Sequence, residues 1–485
     1  MRPDDSMFAD SERSIVYWAG ILILAIVTFR LISLGLYPLY DTTEARYGEM
    51  ARLMLETQNW ITPQYDYGVP FWGKPPFHTW ISAASFSLFG VSEFVARLPH
   101  FVCGVVSLFM VYGFARTFLG RSTATFAALV FASCIGTIVA IGMVMTDSAL
   151  LMACTLAMVS FWLSYSGRNR SLFGHLFFVA ISLGMLIKGP VAVVIIGIAL
   201  VFWSVWQGVL LNAIRSLPWS TGLPLCLVLT LPWYIWAEIR TPGFLEYFIV
   251  GEHIQRFLVS GWEGDLYGSA HDKPRGMIWL FWLVCAFPWS FWILKSGFRR
   301  LFGGKPLKSK AEQGASQTAS LNRYLIAWMV APLLLFTLAG NILPTYVLPG
   351  FSAMALLVAT NNPLTRSSLY MALLSLFVLA ILVGVVGLGK LNKPNESVLL
   401  RSEMQAIGTA DLYYWGHRPY SAQFYSDGNA KLLDDDEHFA SLLQQRIPFF
   451  LVIDHRKYRK FEAEIDSVCR STRVLDDRAL YVCHP

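Results

Sequence analysis

The chain has 485 residues, of which 55% are hydrophobic and only 14% are charged, and its mean hydropathy is +0.50. Soluble domains carry about 25% charged residues. The composition therefore excludes a soluble enzyme and predicts a polytopic α-helical membrane protein. The net charge of +6 is the excess that basic cytoplasmic loops give, so it does not indicate a nucleic-acid partner.

Apolar runs of membrane-spanning length recur along the first 390 residues. The first run lacks a small-residue cleavage site, so we predict an uncleaved transmembrane helix and not a signal peptide. The predicted runs are 15–36, 98–119, 122–141, 146–166, 172–187, 189–206, 222–238, 277–294, 323–340, 344–360 and 367–389. A shorter stretch, 77–90, fits a half-helix, an interfacial helix or a short span.

Lysine and arginine residues predict which loops face the cytoplasm. The most basic loop follows residue 294 and falls on the cytoplasmic side only if 77–90 does not cross fully. The pattern therefore favours eleven spans, or thirteen with an extra pair. The N-terminus is then cytoplasmic, and the loops 37–76 and 240–276 lie outside together with the tail after residue 389.

Residues 37–76 form a polar island, which we predict to be a catalytic loop at the outer membrane face. The loop contains Asp41, Glu44, Arg46, Tyr47 and Lys74. Asp41 lies between a span and a helical stretch, so it either caps that helix or acts as a general base. Lys74 precedes two prolines, and it either extends to lipid headgroups or binds a phosphate as a point charge.

Polar groups of later segments reach the same face under this orientation. Asp147 opens one apolar run and Lys188 separates two others. Ionisable groups in a span are costly, so both are candidates for function, with helix capping as the alternative for Asp147. The amphipathic start of the 240–276 loop adds Glu252, His253 and Arg256. That segment fits either surface anchoring or a site.

The pattern predicts a transmembrane catalytic domain at 1–390, with a flexible cytoplasmic linker at 302–321, and a small outer-facing α/β domain at 391–485. In the second domain, the acidic cluster 434–437 indicates a helix cap and not a metal site. Cys469 and Cys483 either form a disulfide or stay free.

Three common catalytic motifs are absent from the sequence. It contains no HExxH, no paired CxxC and no glycine-rich loop ending in GK[ST]. ATP hydrolysis and a nucleotide-sugar donor in a Rossmann unit are therefore both unsupported.

Several motifs resemble the aminoarabinose transferase family, integral membrane enzymes of the GT-C glycosyltransferase class that are related to protein O-mannosyltransferases. The first is YPLYDTTEARYGEMARLML at 37–55, followed by a Trp, a Thr-Pro and KPP. The others are FGVSEFVARLP at 89–99, MTDSALL at 145–151, LIKGPVAV at 186–193, PWYIWAEIRTPGFLEYFIVGEHIQRFL at 232–258 and LPTYVLPGF at 343–351. They span most of the membrane region.

The resemblance implies an inverting transfer of a sugar from a polyprenyl-phosphate donor to an outer-facing acceptor. It implies lipid A or another envelope glycolipid as acceptor, and the periplasmic face of the bacterial inner membrane as location. It also implies catalytic roles for Asp41, Glu44 and Asp147. The residues that it implies at the donor phosphate are Lys74, Lys188, Arg256, Arg46 and Tyr47.

Two positions depart from the family pattern. Family members often have a glutamate before the KPP lysine, and with a histidine at the His253 position it can hold zinc. Here that residue is Gly73, so no cofactor is assigned, and a divalent metal at His253, with Glu252 as substitute ligand, stays an open alternative. A lysine common before LPTY is Ile342 here, which bears on the sugar and acceptor and not on the reaction class.

Two other functions stay open. Transfer to protein hydroxyls would use the same chemistry. A transporter or flippase for lipid-linked sugars predicts internal repeats and broken helices near the membrane midplane. The polar residues here cluster at one face, which favours an enzyme. A phosphate leaving group needs only cations to stabilise its charge, and the acceptor needs one base at most.

Overall fold

Helices form most of the structure, a computed structural model that describes residues 3–268, 271–295, 312–389, 396–400, 410–444, 447–475 and 477–484. Within these ranges, eight helices are long and apolar enough to span a membrane. They are Glu12–Ser33 (the apolar part of Pro3–Ser33), Glu93–Phe118, Thr146–Tyr165, Arg170–Lys188, Pro190–Gln207, Trp219–Arg240, Thr318–Thr337 (part of Glu312–Thr337) and Arg366–Gly387. The predicted polytopic helical membrane protein is confirmed.

Other predicted spans are broken into shorter helices. The run 122–141 forms Arg121–Ser133 and Ile135–Ala140, which are separated at Cys134, where the backbone is extended. The run 344–360 forms a 3₁₀-helix, Pro344–Gly350, followed by Phe351–Asn361. In the second run, Pro344 and Pro349 favour the break because proline removes a backbone donor.

Two further predicted runs form short helices. The run 277–294 begins as Met277–Cys285, turns at 286–289 and is helical again from residue 290. The stretch 77–90 forms Phe77–Phe89, whose 13 residues reach only about 20 Å. That length is less than the ~30 Å of a bilayer core. The total of eleven to thirteen spans stays a prediction.

Thr146–Tyr165 lies at the centre of the bundle. Its apolar window is 83% buried, against 22% for Glu12–Ser33 and for Arg366–Gly387. It packs against Arg170–Lys188 and Glu93–Phe118. Alanine and serine recur along it, and such small residues let neighbouring helices approach closely. The first residues of this central helix are therefore fixed in position by packing.

Two loops cover one end of the bundle. The first contains the helix Thr43–Thr57 and a hairpin of strands β1 (Gln64–Asp66) and β2 (Val69–Pro70). The second contains a π-helix, Glu246–Gln255, which continues as Arg256–Leu258. Tyr267 joins the two loops, because its hydroxyl donates to the carbonyl of Pro70 and accepts the N–H of Trp72. A short helix, Leu210–Arg215, lies between two spans.

The C-terminal region forms the predicted small α/β domain. Its strands are β3 (Asp411–Trp415), β4 (Ala430–Leu433), β5 (Phe449–Asp454), β6 (Cys469–Val474) and β7 (Arg478–Cys483). Its helices are Ser397–Leu400, Tyr420–Tyr425, Asp436–Gln444, His455–Tyr458 and Glu462–Val468. The strand order is β4-β3-β5-β7-β6, parallel between β4, β3 and β5 and antiparallel among β5, β7 and β6.

Three details of the predicted organisation are decided here. A disulfide joins Cys469 and Cys483 on adjacent strands. Asp435 caps the helix Asp436–Gln444 by accepting the N–H of His438, so the acidic cluster acts as a cap. The predicted linker at 302–321 is too long, because a helix begins at Glu312, while 302–311 lie outside the described residues.

Candidate active site

A polar pocket of about 120 Å³ lies between the two loops. Its ionisable lining residues include Arg46, Lys74, Glu252, Arg256, Asp265 and His271. A larger groove of about 1040 Å³ borders the middle of the first helix, and its walls are mostly apolar. The convergence of charged groups makes the smaller pocket the candidate active site.

Glu252 connects the two principal cations of this pocket. Its carboxylate lies 2.9 Å from Lys74 Nζ and 2.9 Å from Arg256 Nη1. The Glu252 side chain is only 4% exposed. Burial raises its pKa, but the charges of Lys74 and Arg256 outweigh burial and lower the pKa of Glu252 to about 2. The carboxylate is therefore ionised at neutral pH.

Lys74 owes its position to the backbone around it. Pro75 and Pro76 follow it, and the helix Phe77–Phe89 begins directly after them. Because a residue before proline avoids the helical region, Lys74 stays in the loop and lines the pocket. Its ammonium also donates to the carbonyl of Gly73.

Arg46 reaches the pocket from the second turn of Thr43–Thr57. Its guanidinium donates to the carbonyl of Tyr267 at 2.6 Å and lies within 6 Å of the ring centres of Tyr47, Phe71 and Tyr420. Its Nε is buried without a hydrogen-bond partner. Among the described residues, no carboxylate lies within ion-pair distance of it. Arg46 thus retains capacity to bind an anion.

Asp41 contacts the C-terminal domain. Its carboxylate accepts the N–H of Tyr420 at 2.9 Å, and the N–H and hydroxyl of Ser421. Asp41 therefore caps the helix Tyr420–Tyr425 and not the helix that follows it in sequence, whose N-cap Thr42 makes no side-chain cap. Burial raises the pKa of Asp41, and the hydrogen bonds from Ser421 and Tyr420 reduce that shift. The next residue, Thr42, lines the pocket, so Asp41 is adjacent in the chain to the candidate site.

Glu44 is held in a buried ion pair away from the pocket lining. Arg97 binds both oxygens of Glu44, at 3.0 and 2.9 Å, in a bidentate ion pair. The N–H of Val144 also donates to Glu44. Arg97 is fully buried and donates to three carbonyls at the end of the first span, those of Leu34, Tyr37 and Pro38. This geometry fits an anchor for the loop better than a catalytic acid.

Asp147 and Lys188 form a second buried pair, 2.7 Å apart. The Lys188 ammonium also lies 4.3 Å from the ring centre of Tyr346, in the LPTY motif. Its backbone carbonyl lies 3.2 Å from His253 Nε2. The pair therefore adjoins the second loop, but neither residue lines the pocket.

The residues around His253 do not fit a zinc ion. Both ring nitrogens face backbone carbonyls, Nδ1 that of Phe248 at 2.7 Å and Nε2 that of Lys188 at 3.2 Å. A Cβ on Gly73 would lie 2.8 Å from the Phe71 ring, so a glutamate there requires Phe71 to move. No group of three or more potential metal ligands occurs among the described residues.

Sequence reasoning missed several contributors. Asp265 lies 3.2 Å from Arg256 and lines the pocket. Ser421 and Tyr420 hold Asp41 from 380 and 379 residues away. An acidic residue in an outer loop could have drawn attention to Asp265, whereas nothing local marks the domain contact.

Comparison with known proteins finds one matching family model and several similar transferases. Residues 14–248 match the family model of dolichyl-phosphate-mannose-protein mannosyltransferase. The chain is 31% identical over 338 residues to an undecaprenyl phosphate-alpha-4-amino-4-deoxy-L-arabinose arabinosyl transferase of Erwinia tasmaniensis, which covers 69% of this chain and 57% of the relative. A relative of the same name from Aeromonas hydrophila is 29% identical over 349 residues, covering 71% and 59%. The matched part thus spans less than two thirds of these relatives.

Solved structures share the fold. The crystal structure of ArnT from Cupriavidus metallidurans bound to undecaprenyl phosphate superimposes with a TM-score of 0.74 at 17% identity, covering 96% of this chain and 98% of that one. The apo state of the same protein gives a TM-score of 0.71, covering 96% and 97%. The helical bundle and the C-terminal domain therefore follow one known architecture.

Proposed function

We propose that the chain is a member of the aminoarabinose transferase-like family of GT-C glycosyltransferases, which its similarity to the relatives above and its fold support. We propose further that it transfers a sugar from a polyprenyl-phosphate donor to an envelope glycolipid, with lipid A as the first choice. The observation that carries this proposal is the pocket in which Arg46, Lys74 and Arg256 meet next to the Asp41 segment. The transfer inverts the anomeric carbon in a single displacement.

The three cations are suited to a phosphate leaving group. Polyprenyl phosphate leaves as an anion, so it needs positive charge and hydrogen-bond donors and not a general acid. Arginine offers a planar set of donors and lysine a compact charge, and both are used for phosphates. Since Lys74 and Arg256 share one carboxylate, their charged groups lie close enough to bind one phosphate together.

Asp41 is the proposed general base. Of the acidic residues suggested by the sequence, Glu44 and Asp147 are in buried ion pairs with Arg97 and Lys188. Asp41 has no cation within ion-pair distance among the described residues, and its hydrogen bonds come from Ser421 and Tyr420. A carboxylate that is not neutralised by a cation is better able to accept the proton of an acceptor hydroxyl or phosphate.

We place the site at the periplasmic face of the bacterial inner membrane. The excess of lysine and arginine in the opposite loops supports this orientation. The disulfide between Cys469 and Cys483 also supports it, because disulfides persist in oxidising compartments such as the periplasm.

Mass spectrometry of lipid A, from cells with and without the gene, tests the acceptor. The expected result is a glycosylated lipid A species that disappears with the gene. Transfer to protein is the second candidate, favoured by the match to a protein mannosyltransferase model. An unchanged lipid A beside a lost protein glycan would establish that second candidate instead.

Asp41→Asn tests the catalytic assignment. The amide keeps the acceptor oxygen but cannot take a proton, so transfer is expected to fall by at least about a hundredfold. The protein should still insert and bind donor, because the pocket cations are unchanged. Wild-type activity in this variant would refute the role of Asp41.

A further inference from the structure

The pocket that we assign to the donor phosphate contains an anion of the protein itself. Both oxygens of Glu252 lie on cations: Oε2 is 2.9 Å from Lys74 Nζ and 3.2 Å from Arg256 Nη1, and Oε1 is 2.9 Å from Arg256 Nη1. The hydroxyl of Tyr247 makes a longer contact of 3.4 Å with Oε1. Glu252 thus makes with these cations the contacts that a phosphate oxygen would make.

We propose that Glu252 is an internal competitor for the donor phosphate. It forms ion pairs with Lys74 and Arg256 while the site is empty, and the donor phosphate displaces it. The ion pairs form again as polyprenyl phosphate is released. This inference rests on the proposed function, because it assumes that the pocket binds that phosphate. It adds a residue that sets donor affinity and product release.

Charge makes the two anions mutually exclusive on the same donors. A phosphate on Lys74 and Arg256 would lie within a few ångströms of the Glu252 carboxylate, and like charges at that distance repel strongly in a buried site. While both cations contact Glu252, its pKa is about 2, so the group is a carboxylate when the donor arrives. The carboxylate therefore moves off the cations when the phosphate arrives.

Arg46 supplies the first contact for the incoming phosphate. It lines the same pocket and has a buried Nε without a partner. Within the described ranges, it is the one arginine or lysine of the pocket lining without a carboxylate at ion-pair distance. The donor phosphate can thus contact Arg46 before the Glu252 carboxylate leaves Lys74 and Arg256. The phosphate therefore has a cation beside it at every step.

The same arrangement accelerates release of the polyprenyl phosphate product. After transfer, the product is a polyprenyl phosphate anion held by three cations, and such a product leaves slowly unless something replaces it. Glu252 is tethered at the site and neutralises Lys74 and Arg256 when the product departs. The carboxylate therefore lowers affinity and accelerates release together.

The test measures binding of undecaprenyl phosphate to the purified full chain in detergent. Glu252→Gln keeps the shape of the side chain and removes its charge. The expected result is a Kd about tenfold lower and a product dissociation rate slower by a similar factor. In turnover, both kcat and KM should fall. Glu246→Gln is the matched control, because Glu246 lies exposed on the same π-helix and makes no ion pair in the described structure.

A second variant distinguishes the loss of charge from misfolding. Glu252→Asp keeps the charge on a shorter side chain, so its Kd should lie between those of the wild type and Glu252→Gln. If Glu252 only positions Lys74 and Arg256, both variants bind undecaprenyl phosphate more weakly than the wild type, and the inference is wrong. Equal affinity in all variants also overturns it. Failure of the wild type itself to bind overturns the donor assignment, and the inference with it.

Discussion

At the scale of single residues, the role of Asp41 depends on the hydrogen bonds that its carboxylate accepts. An aspartate between a span and a helix has an ordinary role as the cap of that helix. Here its oxygens are turned to Tyr420 and Ser421 of another domain. The donors from Ser421 therefore control the protonation of the proposed base as well as its orientation.

Ser421→Ala should shift the pH dependence of transfer. Burial raises the pKa of Asp41, and hydrogen bonds from Ser421 lower it again. Loss of the hydroxyl removes a lowering contact, so the pKa rises further. A base works above its pKa, so the acidic limb of the rate profile should move to higher pH. Rates across the acidic range, for the variant and the wild type, measure the shift.

Ser426→Ala is the control for that measurement. Ser426 is also buried in the C-terminal domain, but its hydroxyl bonds to the carbonyl of Gln423 and to the N–H of Ala430, not to Asp41. An acidic limb that stays in place in Ser421→Ala would show that Asp41 does not limit the rate as a base.

At the scale of elements, the buried pair of Glu44 and Arg97 fixes the first loop to the bundle. Arg97 belongs to the span Glu93–Phe118, and Glu44 to the loop helix Thr43–Thr57. Arg97 also donates to the carbonyls of Tyr37 and Pro38, which lie between the first span and that loop helix. The start of the loop is therefore held at three places by one guanidinium.

Glu44→Gln should destabilise the protein by about 3 kcal/mol, because it leaves the Arg97 charge buried without its partner. Thermal unfolding in detergent measures the loss. Glu56→Gln is the control: Glu56 pairs with Arg52 in the same helix but is half exposed, so its loss should cost less than about 1 kcal/mol.

Normal stability of Glu44→Gln together with lost transfer would restore Glu44 to the catalytic residues. A lower stability with transfer retained in the folded fraction would confirm the anchor.

At the scale of the whole molecule, the C-terminal domain rests on the first loop through polar contacts. The Tyr425 hydroxyl accepts the N–H of Leu39 at 2.8 Å, and Arg418 pairs with Asp66 of the β1 strand. Leu39 lies two residues before Asp41, so the domain and the proposed base share one short stretch of chain. Domain position and site geometry are therefore coupled.

Tyr425→Phe should lower the free energy of unfolding by about 1–3 kcal/mol, because it leaves the buried N–H of Leu39 without that acceptor. Tyr458→Phe is the control, since the Tyr458 hydroxyl contacts Asp466 inside its own domain. Limited proteolysis should cleave Tyr425→Phe earlier between the two domains. Equal protection of both variants would exclude the coupling.

Sequence patterns predicted much of this architecture, for a physical reason that is local. A bilayer selects apolar runs of a given length, so the hydropathy of a short window identifies most spans without knowledge of their neighbours. Strands β3, β5 and β7 are apolar and mostly buried, so their composition by itself favours strands. Strand β6 is mostly exposed and β4 buries only its two end residues, so both carry weaker patterns.

The membrane class and the polar loop at 37–76 follow from the residues alone, and the motifs imply the reaction class. Which charged groups meet depends on the fold. Glu44 pairs with Arg97 at a sequence separation of 53 residues, and Lys74 pairs with Glu252 at a separation of 178 residues. Asp41 accepts hydrogen bonds from Ser421 at a separation of 380 residues. Pairing of buried charges depends on distance in space, and a window of sequence carries no information about such distances.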